Sequence, residues 1–269
     1  STTLMKLFEL ISESTVRLRE TVEDDETIHQ IAGAIRRSIR ATPEWLEYFH
    51  PDGTRVNLDL GDGEIYNFET DKDNARRYYS LYLPGSLSTT YGTIGEITGL
   101  QSKTDIGKYL LGVNFAVTTD PGFLENVGYG GWFKKSKKIV VTPVALFKGA
   151  AIDHELRHVV DDYYSGGKHY PESHQSMKWG DRPGELSAEY ATAVWWLKGY
   201  IFKSIKSGKE LDNVLLKKII EYSIQSMRIP KLKDKNSTEY KRVFSRLYKY
   251  ASSLRDENYS PSDRFSISE

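Results

Sequence analysis

The stretch GAAIDHELRHVVDDYY, from Gly149 to Tyr164, sets two histidines four residues apart, His154 and His158, with Glu155 between them, in a chain that has only six histidines. At about 100° per residue, four steps along a helix return nearly to the same face, so the two imidazoles project side by side about one turn apart. They can grip one ion, and Glu155, beside the first of them, can hold a water on that ion rather than bind the ion itself. The spacing alone also suits an ordinary helix on which two histidines happen to fall four apart. A catalytic zinc site takes three protein ligands and leaves a fourth position for water, so one more donor is required. The stretch RPGELSAEY supplies it: Pro183 and Gly184 suit a helix start, and Glu185 and Glu189 again sit four apart on one face. The 26 residues between His158 and Glu185 are enough for a loop and a turn to bring this second helix against the first. Glu185 can then ligate the ion while Glu189 accepts a hydrogen bond from a ligating histidine, fixing its tautomer and orientation. Two alternatives stand beside this. The glutamates can be solvated helix-surface residues, or Asp162 can be the third ligand. Asp162 lies four residues after His158, but eight steps from His154 rotate the face by about 80°, which makes it hard for one ion to reach all three side chains.

HELRHVVDDY followed by GELSAEY resembles the gluzincin zinc metallopeptidases, such as the thermolysin-like enzymes and the catalytic domain of anthrax lethal factor. The likeness spans about residues 127–193 and does not extend to the first hundred residues. Asp162 and Tyr163 also fall where thermolysin-like enzymes often carry an Asp-Tyr pair. The resemblance implies that His154, His158 and Glu185 are the zinc ligands, that Glu155 is the general base, and that Glu189, with Asp162, supports the ligands from behind. The loop between the two motifs is longer than in thermolysin. Glu189 also stands where thermolysin has Asp, as it does in lethal-factor-like enzymes.

The chemistry expected of such a site follows from general principles. A zinc with one open position brings the pKa of bound water to about 7 and polarises a carbonyl oxygen. Glu155 would take the proton of that water during attack on a peptide carbonyl and pass it to the leaving amine. The oxyanion needs a further donor. Gluzincins use a Tyr or His, sometimes from the segment before the glutamate-bearing helix, so Tyr170, His169 and His174 are candidates, with Tyr170 preferred. No spacing rule selects among them, and an ordinary loop residue is the plainer reading of each.

The elements that must position these groups are legible in outline. Leu4 to Glu20 and about residues 26–40 have helical apolar spacing, and TPEW begins another helical turn with proline near its start. From about Thr54 to Ala116, short β-branched and aromatic stretches punctuated by DG, GDG and PG read as strands and turns. LGVNFAVTT continues that style. VGYGGWF and KIVVTPVAL flank KKSKK as a β-hairpin with a charged, solvated tip. From Gly149 onward the chain is mainly helical, and the polar tail from Asn258 is expected to fray. In zincins the strand just before the active helix is an edge that pairs with an extended peptide. KKIVVTPV, Lys137 to Val144, occupies that place and would supply main-chain hydrogen bonds to a substrate. A covered strand ended by Pro143 is the alternative. Trp132, Phe133, Trp195 and Trp196 read as core.

Whole-chain properties narrow the field further. With 269 residues the chain can bury a sizeable core. Its 37 basic and 37 acidic residues balance, so nothing in the global charge suggests a nucleic-acid partner. There is no cysteine, which excludes disulfides, thiolate metal sites and a cysteine nucleophile. No apolar run approaches the roughly 20 residues of a membrane span, and no signal-peptide pattern is visible. The expectation is a soluble protein, and Ser1 is what removal of an initiator methionine would leave. MKLFELISE resembles the short amphipathic segments that target internal proteins into tailed-phage heads, and Leu18-Arg19-Glu20 resembles a prohead-protease site. An ordinary amphipathic helix is the plainer reading of the first. A virion-associated protein and a secreted bacterial effector would carry the same catalytic motif.

The expectation is therefore an α+β, zincin-like fold with a small mixed sheet, an active-site helix and a mainly helical C-terminal lobe. Residues 1–104 would form an N-terminal portion of uncertain role, 105–257 the catalytic unit and 258–269 a polar tail. The expected activity is zinc-dependent hydrolysis of protein or peptide substrates. The alternative is a non-catalytic zincin-like structural or binding protein, such as one carried in a phage virion.

Overall fold

The computed structural model describes residues 22–48, 58–59, 65–66, 85–147, 150–166 and 183–256. The amphipathic N-terminal stretch, the site resembling a prohead-protease site, the polar tail and the oxyanion candidates His169, Tyr170 and His174 lie outside them.

The described chain is a mixed α+β structure. It opens with helix α1 (Val22–Arg40) and a short α2 (Pro43–Leu46), with proline in the first turn and a fully buried Trp45. A two-residue ladder follows, β1 (Leu58–Asp59) against β2 (Ile65–Tyr66). The main sheet is built from β3 (Thr89–Thr93), β4 (Asn114–Val117), β5 (Gly130–Phe133) and β6 (Lys138–Val141), in the spatial order β3-β4-β6-β5. β3 and β5 run antiparallel to their neighbours, and β4 and β6 run parallel.

Between β3 and β4 the chain forms two helices, α3 (Ile94–Thr98) and α4 (Asp105–Leu111), in a region whose composition reads as strand and turn. Their start signals are local. Thr93 and Glu96 close a capping box, with the Thr93 side chain accepting from the Glu96 N–H and the Glu96 carboxylate accepting from the Thr93 N–H. Thr104 caps α4 through the Gly107 N–H. The Glu96 carboxylate lies over Gly92, where φ is +105° and an added Cβ would come within 2.7 Å of Glu96 Oε2. Gly92 is thus needed both for its backbone angle and for the cap beside it. α5 (Pro121–Asn126) precedes β5, and α6 (Pro143–Phe147) follows β6.

β6 is interior, which corrects the expectation of an exposed edge at Lys137–Val144. It pairs on one side with β4 and on the other with β5. Pro143 does not end a strand by blocking pairing; it begins α6. Among the described residues, the edge of the sheet on this side is β5.

Helices α7 (Ala151–Tyr164), α8 (Pro183–Lys206), α9 (Asn213–Gln225) and α10 (Thr238–Asp256) complete the described fold. Two hydrophobic clusters hold it together. The first joins Ile28, Ile31, Ile35 and Ile39 of α1 to Phe115 and Val117 of β4, Ile139 and Val141 of β6, and Ile152, Leu156 and Val159 of α7. The second lies among α8, α9 and α10, around Val194, Leu197, Ile220, Leu247 and Leu254. The first cluster and the β3–β4 pairing both draw on residues from either side of position 104, so α1 packs directly on the helix that carries the histidines. No helix among the described residues is long and apolar enough to cross a membrane.

Candidate metal centre

Helix α7 is buried along its length, from Ile152 to Asp162, although seven of those eleven residues are polar or charged. Buried polar groups need partners, and the neighbours of α7 supply them in turn. Asp153 accepts from His29 Nδ1 at 3.1 Å and from Arg36 Nη2 at 2.5 Å, both on α1. Arg157, fully buried, donates through Nε to Asp161 Oδ1 at 3.2 Å and to Ser187 Oγ on α8 at 2.8 Å. Asp162 Oδ2 accepts from Trp132 Nε1 at 2.6 Å, and its Oδ1 lies 3.8 Å from Lys134 Nζ. These contacts set α7 against α1, the β5–β6 hairpin and α8.

His154 and His158 face α8 one turn apart, their rings edge to face with centroids 4.7 Å apart. α8 begins at Pro183, as the PG pair predicts, which puts Glu185 in its first turn, where the helix dipole favours a negative charge. His154 Nε2 lies 3.1 Å from His158 Nε2 and 3.4 Å from Glu185 Oε2, and His158 Nε2 lies 3.7 Å from that same oxygen. All three side chains are buried, and together they can hold a metal ion. Ligand atoms bound at about 2.0–2.1 Å to a tetrahedral ion stand roughly 3.3–3.4 Å apart, and the three observed separations bracket that value. Two imidazoles and a carboxylate converging on one point match the ligand set of a catalytic zinc.

Burial pushes the His154 imidazole down to about 4; the Glu189 charge opposes the shift and the Arg228 charge adds to it. The ring is therefore neutral at pH 7, the form that ligates metals. Glu155 projects toward the edge strand β5. An added Cβ at Gly130 would stand 3.1 Å from Glu155 Cγ and 3.3 Å from its Oε1. A side chain at residue 130 would push the neighbouring Glu155 aside by a few tenths of an ångström. Burial and the Glu185 charge raise the Glu155 carboxyl to about 8, opposed by the backbone N–H of Trp132 and the Arg228 charge. A cation between the histidines and Glu185 would favour the ionised carboxylate.

Glu189 is one turn further along α8, with Oε1 3.7 Å from His154 Nδ1. Asp162 is not among the converging donors: its carboxylate is turned to Trp132 and Lys134. Trp132 packs partly buried against the first core, but Phe133, expected in the core, is exposed. Trp195 and Trp196 are half-buried and pack against each other, with centroids 4.8 Å apart. Lys134 to Lys137 form the exposed hairpin tip, with Lys137 in the left-handed region at φ 45°. Arg228 was not predicted at all. It follows α9 and bonds Glu189 through both its backbone and its guanidinium. An isolated arginine beyond a helix end carries no motif that could reveal such a role.

Compared with protein-family models, curated proteins and solved structures, the chain has no match among any of them.

Proposed function

We propose that the protein is a zinc-dependent endopeptidase of gluzincin type, with His154, His158 and Glu185 as the metal ligands and Glu155 as the general base. The convergence of these three donor atoms, from two successive helices, carries the reading. Two imidazoles and one carboxylate suit zinc and would leave a coordination position for water. When bound, zinc supplies an electrophile for the peptide carbonyl and lowers the pKa of a coordinated water to about 7.

The residues of the chain perform the rest. Glu155, next to the ligands but turned toward β5, accepts the proton of the attacking water and delivers it to the leaving amine. Its close packing on Gly130 holds the carboxylate at the edge of the sheet. There an extended peptide would add as a further strand alongside β5 rather than β6, through main-chain hydrogen bonds. Glu189 orients His154 from the side opposite the metal. Tyr170 remains the preferred donor to the oxyanion on the grounds of resemblance. The test is zinc content and peptide cleavage measured together on wild type and Glu155→Gln.

A further inference from the structure

We propose that Arg228 is a positioning residue of the metal centre, acting through Glu189 on the ligand His154; the inference rests on the metal-site reading above and adds a residue to it. Arg228 lies between α9 and the 3-10 turn Pro230–Lys233, remote in sequence from both motifs. Its backbone N–H donates to Glu189 Oε2 at 2.8 Å. Its Nη2 and Nε donate to Glu189 Oε1 at 3.1 Å and 3.3 Å. A carboxylate that accepts three N–H groups from one residue has both oxygens and its plane fixed, and the planar guanidinium fork supplies two of those bonds in a set geometry.

The two partners differ in their surroundings. The Glu189 side chain is 1% exposed and that of Arg228 64%. The buried member of the pair therefore faces the metal centre, and the solvated member clamps it from outside. When His154 ligates through Nε2, its Nδ1 must carry a proton and needs an acceptor. Nδ1 is buried and makes no hydrogen bond among the described residues, and Glu189 Oε1 stands 3.7 Å away. That oxygen is the one gripped by the Arg228 guanidinium. Without the clamp, Glu189 could rotate away from the ring and leave His154 unoriented, with a second acidic group loose beside Glu185.

The experiment is competition for zinc against a chromophoric chelator, with thermal melting of the zinc-free proteins as a control. The proteins are full-length wild type, Arg228→Ala, Arg228→Lys, Glu189→Ala and the Glu189→Ala/Arg228→Ala double variant. Arg228→Ala is expected to weaken zinc binding about tenfold, at the low end of what losing a ligand's supporting partner costs, with little change in the zinc-free melting temperature. Arg228→Lys keeps the backbone bond and the charge but not the fork, and should fall between; it carries the same test if the alanine variant does not fold. In the Glu189→Ala background, removing Arg228 should have no further effect, an outcome that a general structural role would not produce. Wild-type zinc affinity in Arg228→Ala, or a second tenfold loss in the double variant, overturns the inference alone. A wild-type protein that binds no zinc overturns the metal-site reading and the inference with it.

Discussion

His154 Nε2 and Glu185 Oε2 lie 3.4 Å apart, although 30 residues separate them in the chain and they stand on different helices. Both are buried, and a buried carboxylate next to a neutral imidazole invites a cation between them. His154→Ala, His158→Ala and Glu185→Ala should each abolish stoichiometric zinc retention, because each removes one of three protein donors. Asp162→Ala should keep most of the metal, since that carboxylate is engaged with Trp132 and Lys134. Elemental analysis after dialysis decides the matter. Metal loss in Asp162→Ala with retention in Glu185→Ala would transfer the third-ligand role.

Gly130→Ala should retain zinc but lower peptide turnover about tenfold, because a new Cβ would meet Glu155 Cγ and Oε1 at 3.1 and 3.3 Å and displace the base by a few tenths of an ångström. Zinc content and steady-state rates on the same preparation separate the two effects. Wild-type turnover would show that Glu155 does not act from this position.

The grouping of His154, His158 and Glu185 was largely legible in the sequence because its signal is local. HELRH and GELSAEY each need only helical periodicity to place their side chains, and the PG pair marks where the second helix begins. What escaped was non-local. KIVV looks like one arm of a hairpin, and nothing in it announces the parallel partner Asn114–Val117 that makes it interior, since parallel pairing leaves no turn between the strands. The helices α3 and α4 were hidden for another reason. Their cap signals, T-x-x-E at Thr93 and the threonine at 104, sit among β-branched residues and glycines that favour a strand reading. Arg228 and the partners of Asp153 on α1 are brought to the site by tertiary packing alone.

Glu26 ties α1 to the C-terminal helices. Its Oε2 accepts from Lys198 Nζ at 2.6 Å and from the Tyr250 hydroxyl at 3.0 Å. Burial pushes this carboxyl up, but the Lys198 charge, the hydrogen bonds from Lys198 and Tyr250 and the His29 charge outweigh it and hold it below 4.5. A carboxyl lowered in the folded state stabilises the protein above its unfolded pKa, and that stability is lost as pH falls through the folded value. Glu26→Gln should therefore cost about 3 kcal/mol at pH 7, because it removes the carboxylate charge that faces the buried Lys198 ammonium at 2.6 Å. The difference from wild type should shrink as pH drops below about 4.5. Denaturant titrations at pH 7 and pH 4 check this, and an equal gap at both would remove Glu26 from the acid response.

The most direct test is peptide-library cleavage by wild type and Glu155→Gln, with zinc content determined on the same samples. A neutral amide can still hydrogen-bond a water but cannot accept its proton. Both proteins should therefore hold about one zinc, while turnover falls by roughly 10²–10⁴ in the variant. Equal turnover in the two proteins, or no cleavage of any library member by zinc-loaded wild type, would contradict the assignment of this centre to peptide hydrolysis.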